Sequence, residues 1–306
     1  MSAVALPAGV SVFERGWLSS NNVLLVGPHN TALVDSGYCS HADQTLALVD
    51  SALAGRPLDV LVNTHLHSDH CGGNAALQAH YPQMQTHIPP GHAPFVAQWD
   101  PHTLSYTPTG QECPQYRYDR ALQPGGSVLL GAQHWQVHAA PGHDPHSVIL
   151  FEPETRTLIS ADALWERGFG VVFPELDGIG AFDEVAATFD LIESLAPRVV
   201  IPGHGTVFTK VAQALQVARQ RLDGFVRNPA KHHQYATKVL IKFKLLDVQR
   251  LPLAQLHAWV AATPYVQGML HSCYPQLDAV QAVEQLLADL ERSGAAMRDG
   301  DWVQNL

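Results

Sequence analysis

The sequence is poor in the features that would tie it to a membrane, a nucleic acid or an oxidising compartment. No uninterrupted apolar run approaches the roughly 20 residues that cross a bilayer, so no membrane partner is expected. The opening MSAVALPAGVSVFERG has no basic segment ahead of an apolar stretch and no small-residue cleavage site, so no secretory signal is read and a cytoplasmic location is expected. Cysteine is scarce: Cys39, Cys71, Cys113 and Cys273 are widely spaced without a C-x-x-C pair, which fits reduced thiols better than a disulfide framework or a cysteine-built zinc knuckle. Basic residues are few, 18 Lys and Arg against 28 Asp and Glu, and the net charge of −10 opposes binding to a phosphate backbone. No internal repeat or low-complexity tract is present.

What remains is a chain of 306 residues, 46% hydrophobic, long enough for a catalytic domain of about 200 to 250 residues and a smaller appendage. Short β-prone runs at Gly9 to Arg15, Asn22 to Val26 and Thr31 to Asp35, separated by Gly, Pro and Asn, predict an opening antiparallel meander. Apolar residues at helical spacing between His41 and Ala54, with Gly55 as a stop, lead into a strand from Leu58 to Asn63. A helix over Gly73 to His80 and a strand over Met84 to Ile88 follow. Residues 91 to 124 are rich in proline and aromatics without a sustained period and are read as a long irregular loop, a functional cover. Strands are expected at Ser127 to Leu130, Trp135 to Ala139, Val148 to Glu152, Thr157 to Ser160 and Arg198 to Ile201, with helices from Asp183 to Leu195 and from about Val207 to Arg227. The domain organisation expected is therefore 1–227 for the catalytic domain and 228–306 for a helical, winged-helix-like module. That module should have helices near 231–246, 252–262 and 276–293 and a hairpin at Asp299-Gly300.

Histidine is the one abundance, 18 residues, as many as Lys and Arg together. After the strand ending at Asn63 the chain reads His65-Leu66-His67-Ser68-Asp69-His70. In extended backbone His65 and His67 project to one side, and a turn into a helix can bring Asp69 and His70 back toward it. Pro141-Gly142-His143, Ser160-Ala161-Asp162 and Pro202-Gly203-His204-Gly205 follow, each just past a strand end, where loops from several strands can converge. Each of these short pieces is weak alone. In this order behind H-x-H-x-D-H they are specific.

With these motifs the sequence resembles the metallo-β-lactamase superfamily over about residues 10 to 210. The resemblance implies an α/β fold, a four-layer αββα sandwich, here followed by a small mainly helical domain. It implies that His65, His67 and His143 hold one metal and that Asp69, His70 and His204 hold another, with Asp162 bridging. The ligand set is most similar to glyoxalase II-like and lactonase-like members, since aspartate stands at 162 where one subclass of secreted β-lactamases has cysteine; antibiotic hydrolysis is disfavoured on that ground and by the absent signal peptide. Nitrogen and carboxylate ligands suit two divalent ions, with zinc preferred and iron or manganese as alternatives. His67 favours zinc, because the related diiron flavoproteins resemble H-x-E-x-D-H.

The function expected is a binuclear hydrolase that uses a metal-bridging hydroxide on an ester-like carbonyl: a thioester, lactone or ester of a small, partly apolar molecule. Asp69 and Asp162 are the catalytic candidates, Asp69 as ligand and proton donor to the leaving group. The alternatives are a phosphodiesterase or nuclease of the same superfamily, a single-iron oxidoreductase similar to persulfide dioxygenases, and a non-enzymatic effector.

Asp35 is either an outer acceptor for a ligand histidine or a turn-forming residue. Cys71 is expected to pack inward rather than ligate. His146 contacts substrate or makes a loop hydrogen bond. The apolar run from Leu164 to Phe173, with Trp165, Phe169 and Phe173, lines a substrate pocket or buries against the C-terminal module. Lys231, Tyr235, Lys238 and Lys242 share a helical face read as a solvated stripe or an anion contact. In the C-terminal module acidic residues balance basic ones, and its apolar residues suit docking onto the catalytic domain or a homodimer contact. The partner expected is a small-molecule substrate and no nucleic acid.

Overall fold

The computed structural model describes residues 4–306. They fall into two compact units: residues up to Leu104 together with Glu112–Asp223, and Ser105–Gln111 together with Gly224–Leu306.

The first unit is built on two sheets. One runs in sequence order through Val10–Phe13, Asn22–Val26, Thr31–Val34, Val60–Val62, Gln85–Ile88 and Arg120–Ala121. Its first three strands are antiparallel and the rest join in parallel, as a meander followed by β-α-β crossovers requires. The other is ordered Val199–Pro202, Thr157–Ala161, Val148–Glu152, Gln133–Ala139, Ser127–Leu130, and only its first pair is parallel.

Period-two alternation assigns the faces. Val23, Leu25, Ala32, Val34 and Val62 of the first sheet form one buried cluster with Leu130, Trp135, Val137, Val148, Leu150, Ile159 and Ile201 of the second. The intervening Leu24, Leu33 and Leu61 point the other way, onto Val49, Leu53 and Leu77 of the helices Ala42–Leu53 and Asn74–His80. Each such residue contributes about 1.5–3 kcal/mol by leaving water. The helix Ala42–Leu53 buries Thr45, Val49 and Leu53, one residue per turn, and ends where Ala54 turns left-handed (φ 50°). On the second sheet's side, the helix Phe182–Leu195 buries Val185, Thr188, Phe189 and Ile192, and Arg219 of the helix Val211–Arg227 pairs with its Asp190 and Glu193.

Residues 91 to 124 are more ordered than their composition predicts. They hold the short helices Ala93–Gln98 and Tyr106–Thr109 and the edge strand Arg120–Ala121, with irregular backbone between them. Pro94 sits in the first turn of its helix, where a missing N–H costs nothing; proline opens that element.

The second unit contains the helices Pro229–Val248, Leu253–Ala262, Pro264–Cys273 and Ala279–Arg292 and a three-stranded sheet ordered Arg250–Pro252, Trp302–Asn305, Ala296–Asp299. The helix Pro264–Cys273 is absent from the sequence reading because Pro264 stands at its start. The helix Ala279–Arg292 opens with a capping box of Asp278 and Gln281. In the hairpin Asp299 pairs with Trp302, so the loop is Gly300-Asp301, one residue later than expected. On the lysine face Lys231 is exposed, as a solvated stripe requires, whereas Lys238 and Lys242 bond within the unit. Lys238 pairs with Asp289 at 3.0 Å, and Lys242 donates to the Ala295 and Leu306 carbonyls and to Asn305 Oδ1, fastening the hairpin to the helix. Among the described residues no helix is long and apolar enough to cross a membrane.

Candidate metal centre

Three strands of the second sheet, Gln133–Ala139, Thr157–Ala161 and Val199–Pro202, run in the same direction, and at their carboxyl ends stand His143, Asp162 and His204. From the first sheet the strand Val60–Val62 delivers His65 and His67, and the single-turn helix Ser68–Cys71 delivers Asp69 and His70. Backbone bonds tie these segments together. Ser20 N–H donates to the Asp69 carbonyl and Asn21 N–H to the Gly203 carbonyl, while the Asn21 amide reaches the Pro202 and Gly205 carbonyls.

Donor atoms of the seven residues gather in two groups, His65 with His67 and His143, and Asp69 with His70, Asp162 and His204, each able to hold a metal ion. His143 Nε2 lies 2.8 Å from His67 Nδ1 and 3.3 Å from His65 Nε2. Asp162 faces both groups: its Oδ2 is 3.4 Å from His143 Nε2, and its Oδ1 is 3.4 Å from His70 Nε2 and 3.8 Å from His204 Nε2. Asp69 Oδ2 is 3.1 Å from His204 Nε2. A tetrahedral ion with bonds of 2.0–2.1 Å spaces its ligand atoms roughly 3.3–3.4 Å apart.

The outward nitrogens decide which lone pairs face inward. His143 Nδ1 is 2.5 Å from the Val171 carbonyl, which can only accept, so that nitrogen carries the proton and Nε2 presents a lone pair. His65 Nδ1 lies 3.2 Å from Thr64 Oγ1, which itself donates to Asp35. His70 Nδ1 donates to Asp35 Oδ2 at 2.8 Å. Asp35 therefore acts as a hub: it also takes the Thr64 N–H, is buried, and holds a left-handed backbone (φ 59°), a conformation that costs a non-glycine residue about 1 kcal/mol or more. Inward lone pairs with hydrogen-bonded outer nitrogens, as at His65, His70 and His143, are what metal-binding histidines need, so the donor set fits divalent ions.

The electrostatics of the two groups differ. Burial and the neighbouring imidazoles of His70, His67 and His143 push His65 well below the usual histidine range, and burial with His143 brings His67 down to about 4, so these two imidazoles stay unprotonated near neutrality. At His70 burial acts downward, but Asp35, Asp162 and Asp69 outweigh it and raise the imidazole well above its ordinary value; Asp162 and Asp69 do the same for His204. Asp69 and Asp162 are depressed in turn, because the imidazoles of His70 and His204 overcome the effect of burial. This group thus concentrates negative charge that attracts positive charge.

The remaining residues singled out in the sequence are placed unevenly. Trp165 Nε1 donates to Asp162 Oδ1 at 3.2 Å, and its ring is edge-on to His204. Phe173 packs edge-on against His67 and His143. Phe169 is buried against Phe189 with Arg221 over its ring, and it lines a small cavity with His143, Asp162, Val185 and Thr188. His146 touches no ligand; its N–H donates to Asp144 and its ring lies over Gly91 and edge-on to His92. Cys71 is buried, its thiol directed at the Leu66 and His67 carbonyls. Trp17 was not legible as a site residue: an exposed indole in a loop, it stacks on His204 and meets Trp165 edge-on.

The Trp165 bond is expected to orient the Asp162 carboxylate. Trp165→Phe should weaken one of two bound ions by about 10–100-fold, the usual cost of losing an outer partner, and leave the other unchanged in a metal titration. Two unchanged affinities would show that the carboxylate needs no such anchor.

The family model for the Metallo-beta-lactamase superfamily matches residues 15–204. A hydroxyacylglutathione hydrolase of Anaeromyxobacter dehalogenans (strain 2CP-C) is 35% identical over 162 residues, 52% of each chain, so the match spans about half the length of that curated relative. Acyl-coenzyme A thioesterase MBLAC2 of Gallus gallus is 28% identical over 233 residues, 66% of this chain and 80% of that one. In fold the chain is similar to a β-lactamase domain protein from Burkholderia ambifaria, with a TM-score of 0.61 at 20% identity, covering 99% of this chain and 94% of the other. Family match, strand order and the cluster of histidines and aspartates agree, and the chain belongs to the metallo-β-lactamase superfamily.

Proposed function

We propose that this protein is a binuclear thioester hydrolase, with zinc as its metal, in which His65, His67 and His143 hold one ion, Asp69, His70 and His204 the other, and Asp162 joins them. The observation that carries this reading is Asp162, whose two oxygens are directed one to each donor group. Divalent ions in these positions supply Lewis-acid polarisation of a carbonyl and a water acidic enough to ionise near neutral pH.

The protein's own groups do the rest. Asp69 has the most exposed side chain of the three carboxylates at the centre, Asp35 and Asp162 included, and is placed to pass a proton toward a departing group. A thiolate leaving group needs little such help, since a thiol ionises near pH 8.5. Trp17, Trp165 and Phe173 set apolar surface beside the ligand histidines, which suits an acyl chain. The relatives named for hydroxyacylglutathione and acyl-coenzyme A hydrolysis act on thioesters, which supports the same class here. The net charge of −10 works against a polyanion, so the partner proposed is a small molecule and no nucleic acid.

The test is a panel of acyl thioesters, lactones, p-nitrophenyl esters and bis-p-nitrophenyl phosphate, assayed on protein whose metal content has been measured. Thioesters should be turned over with a kcat/KM at least about 10²-fold above the phosphodiester, a gap of roughly 2.7 kcal/mol in transition-state stabilisation. Exclusive turnover of the phosphodiester would overturn the reading, and a stoichiometry of one iron per chain would replace the binuclear hydrolase with an oxidoreductase.

A further inference from the structure

We propose that Cys71 and Cys113 form an oxidation site, a dithiol that hydrogen peroxide closes to a disulfide beside the metal centre. The two Sγ atoms lie 3.9 Å apart although 42 residues separate them in sequence. They differ in access. Cys71 is fully buried on the single-turn helix that carries Asp69 and His70, whereas Cys113 is partly exposed in the irregular stretch 112–119. A disulfide requires an S–S separation of about 2.05 Å, so the sulfurs must close by roughly 1.9 Å. The helix is held by the Ser36 and Asn63 bonds to the His70 carbonyl, and the adjustment falls on the side chain and backbone of Cys113. A third cysteine steadies that segment: Cys39 Sγ is 3.4 Å from the carbonyl of Glu112, the residue before Cys113.

Accessibility sets the order of events. Peroxide oxidises the Cys113 thiol to the sulfenic acid and is reduced to one water. The Cys71 sulfur, shielded from peroxide, attacks the sulfenic sulfur. The S–S bond forms as the S–O bond breaks, and the hydroxyl leaves with the Cys71 proton as a second water. Two thiols are oxidised by two electrons and one peroxide is consumed. The product ties Cys113 covalently to the helix that presents Asp69 and His70, and so links the state of the pair to the segment carrying two residues of the centre. This formation of the bond does not rest on the proposed thioester activity; its effect at the centre does require that the centre hold metal.

The experiment uses the full-length protein purified under reducing conditions with its metal in place, exposed to hydrogen peroxide and then alkylated. Intact mass should fall by about 2 Da before alkylation, the loss of two hydrogens, and be restored by dithiothreitol. Peptide mapping should give a Cys71–Cys113 linkage that survives in Cys39→Ser and Cys273→Ser and is lost in Cys113→Ser. Oxidation should also change the rate at which a colorimetric chelator draws metal from the wild type, and leave that rate unchanged in Cys113→Ser. Oxygen addition at Cys113 without a cross-link, a Cys39–Cys113 linkage, or an unchanged mass would overturn the dithiol. A Cys71–Cys113 bond formed with no change in the chelation rate would overturn its connection to the centre, and a wild type that holds no metal would defeat both that connection and the binuclear reading while leaving the mass result to stand or fall alone.

Discussion

Asp162→Ala is expected to bind one fewer divalent ion than the wild type and to lose turnover by about 10²–10³-fold or more, the scale of removing one electrostatic stabiliser of a transition state. The expectation follows from the position of the side chain between the groups. Its Oδ2 is the carboxylate contact of His143, and its Oδ1 lies between His70 and His204. Removal leaves the three imidazoles of the first group in place, His143 and His65 with their outer hydrogen bonds to Val171 and Thr64. The second group keeps Asp69, His70 and His204 but loses the charge that joins it to the first. It also loses one of the two carboxylates that raise His204. Asp162→Asn separates charge from shape, because it keeps an oxygen and nearly the same volume; a similar loss in both variants assigns the effect to the charge. Metal analysis after gel filtration, with turnover measured on the same fractions, decides it. Near-native turnover by Asp162→Ala would sink the two-metal reading.

Much of this centre could be read from the sequence, for a physical reason. Metal ligands at strand ends come in short runs whose residue types and spacing are constrained by the ion, so H-x-H-x-D-H and the PGH, AD and PGHG pieces carry their information locally. Strands such as Val148–Glu152 were equally legible, being continuous apolar runs buried on both faces. Partners chosen by packing left weaker traces. Trp17 is an aromatic in a polar loop, and nothing near it in sequence points to His204, 187 positions away. Phe169 and Phe173 belong to one apolar run, yet the first turns into the core against Phe189 and the second toward His67. Composition cannot tell them apart because the backbone between them decides the direction of each. The helix Pro264–Cys273 was hidden because proline signals both a stop and a first helical turn.

Gly203→Ala is the smallest change expected to disable the second donor group. A Cβ at this position would lie 2.2 Å from Asp162 Oδ1 and 3.0 Å from His70 Cε1 and the Ala161 carbonyl carbon. The backbone offers little relief, because Gly203 N–H donates to the Ala161 carbonyl at 2.7 Å and its own carbonyl accepts from Asn21 at 2.6 Å. The carboxylate must therefore move, and with it the atom facing His70 and His204. An affinity loss of at least about 10–100-fold for one of two ions is expected, the scale of misplacing a ligand through its surroundings. Gly205, two residues on, provides the contrast. Its φ of +85° is left-handed, but a Cβ there meets nothing within 4 Å. Gly205→Ala should thus cost only the backbone strain, about 1–2 kcal/mol of stability, seen as a lower melting temperature with both ions retained. Metal titrations and melting curves of the two variants, recorded with and without chelator, separate a steric fault at the ligands from strain in the loop. If Gly203→Ala bound two ions as tightly as the wild type, the close packing of Gly203 on Asp162 would have no part in forming the centre.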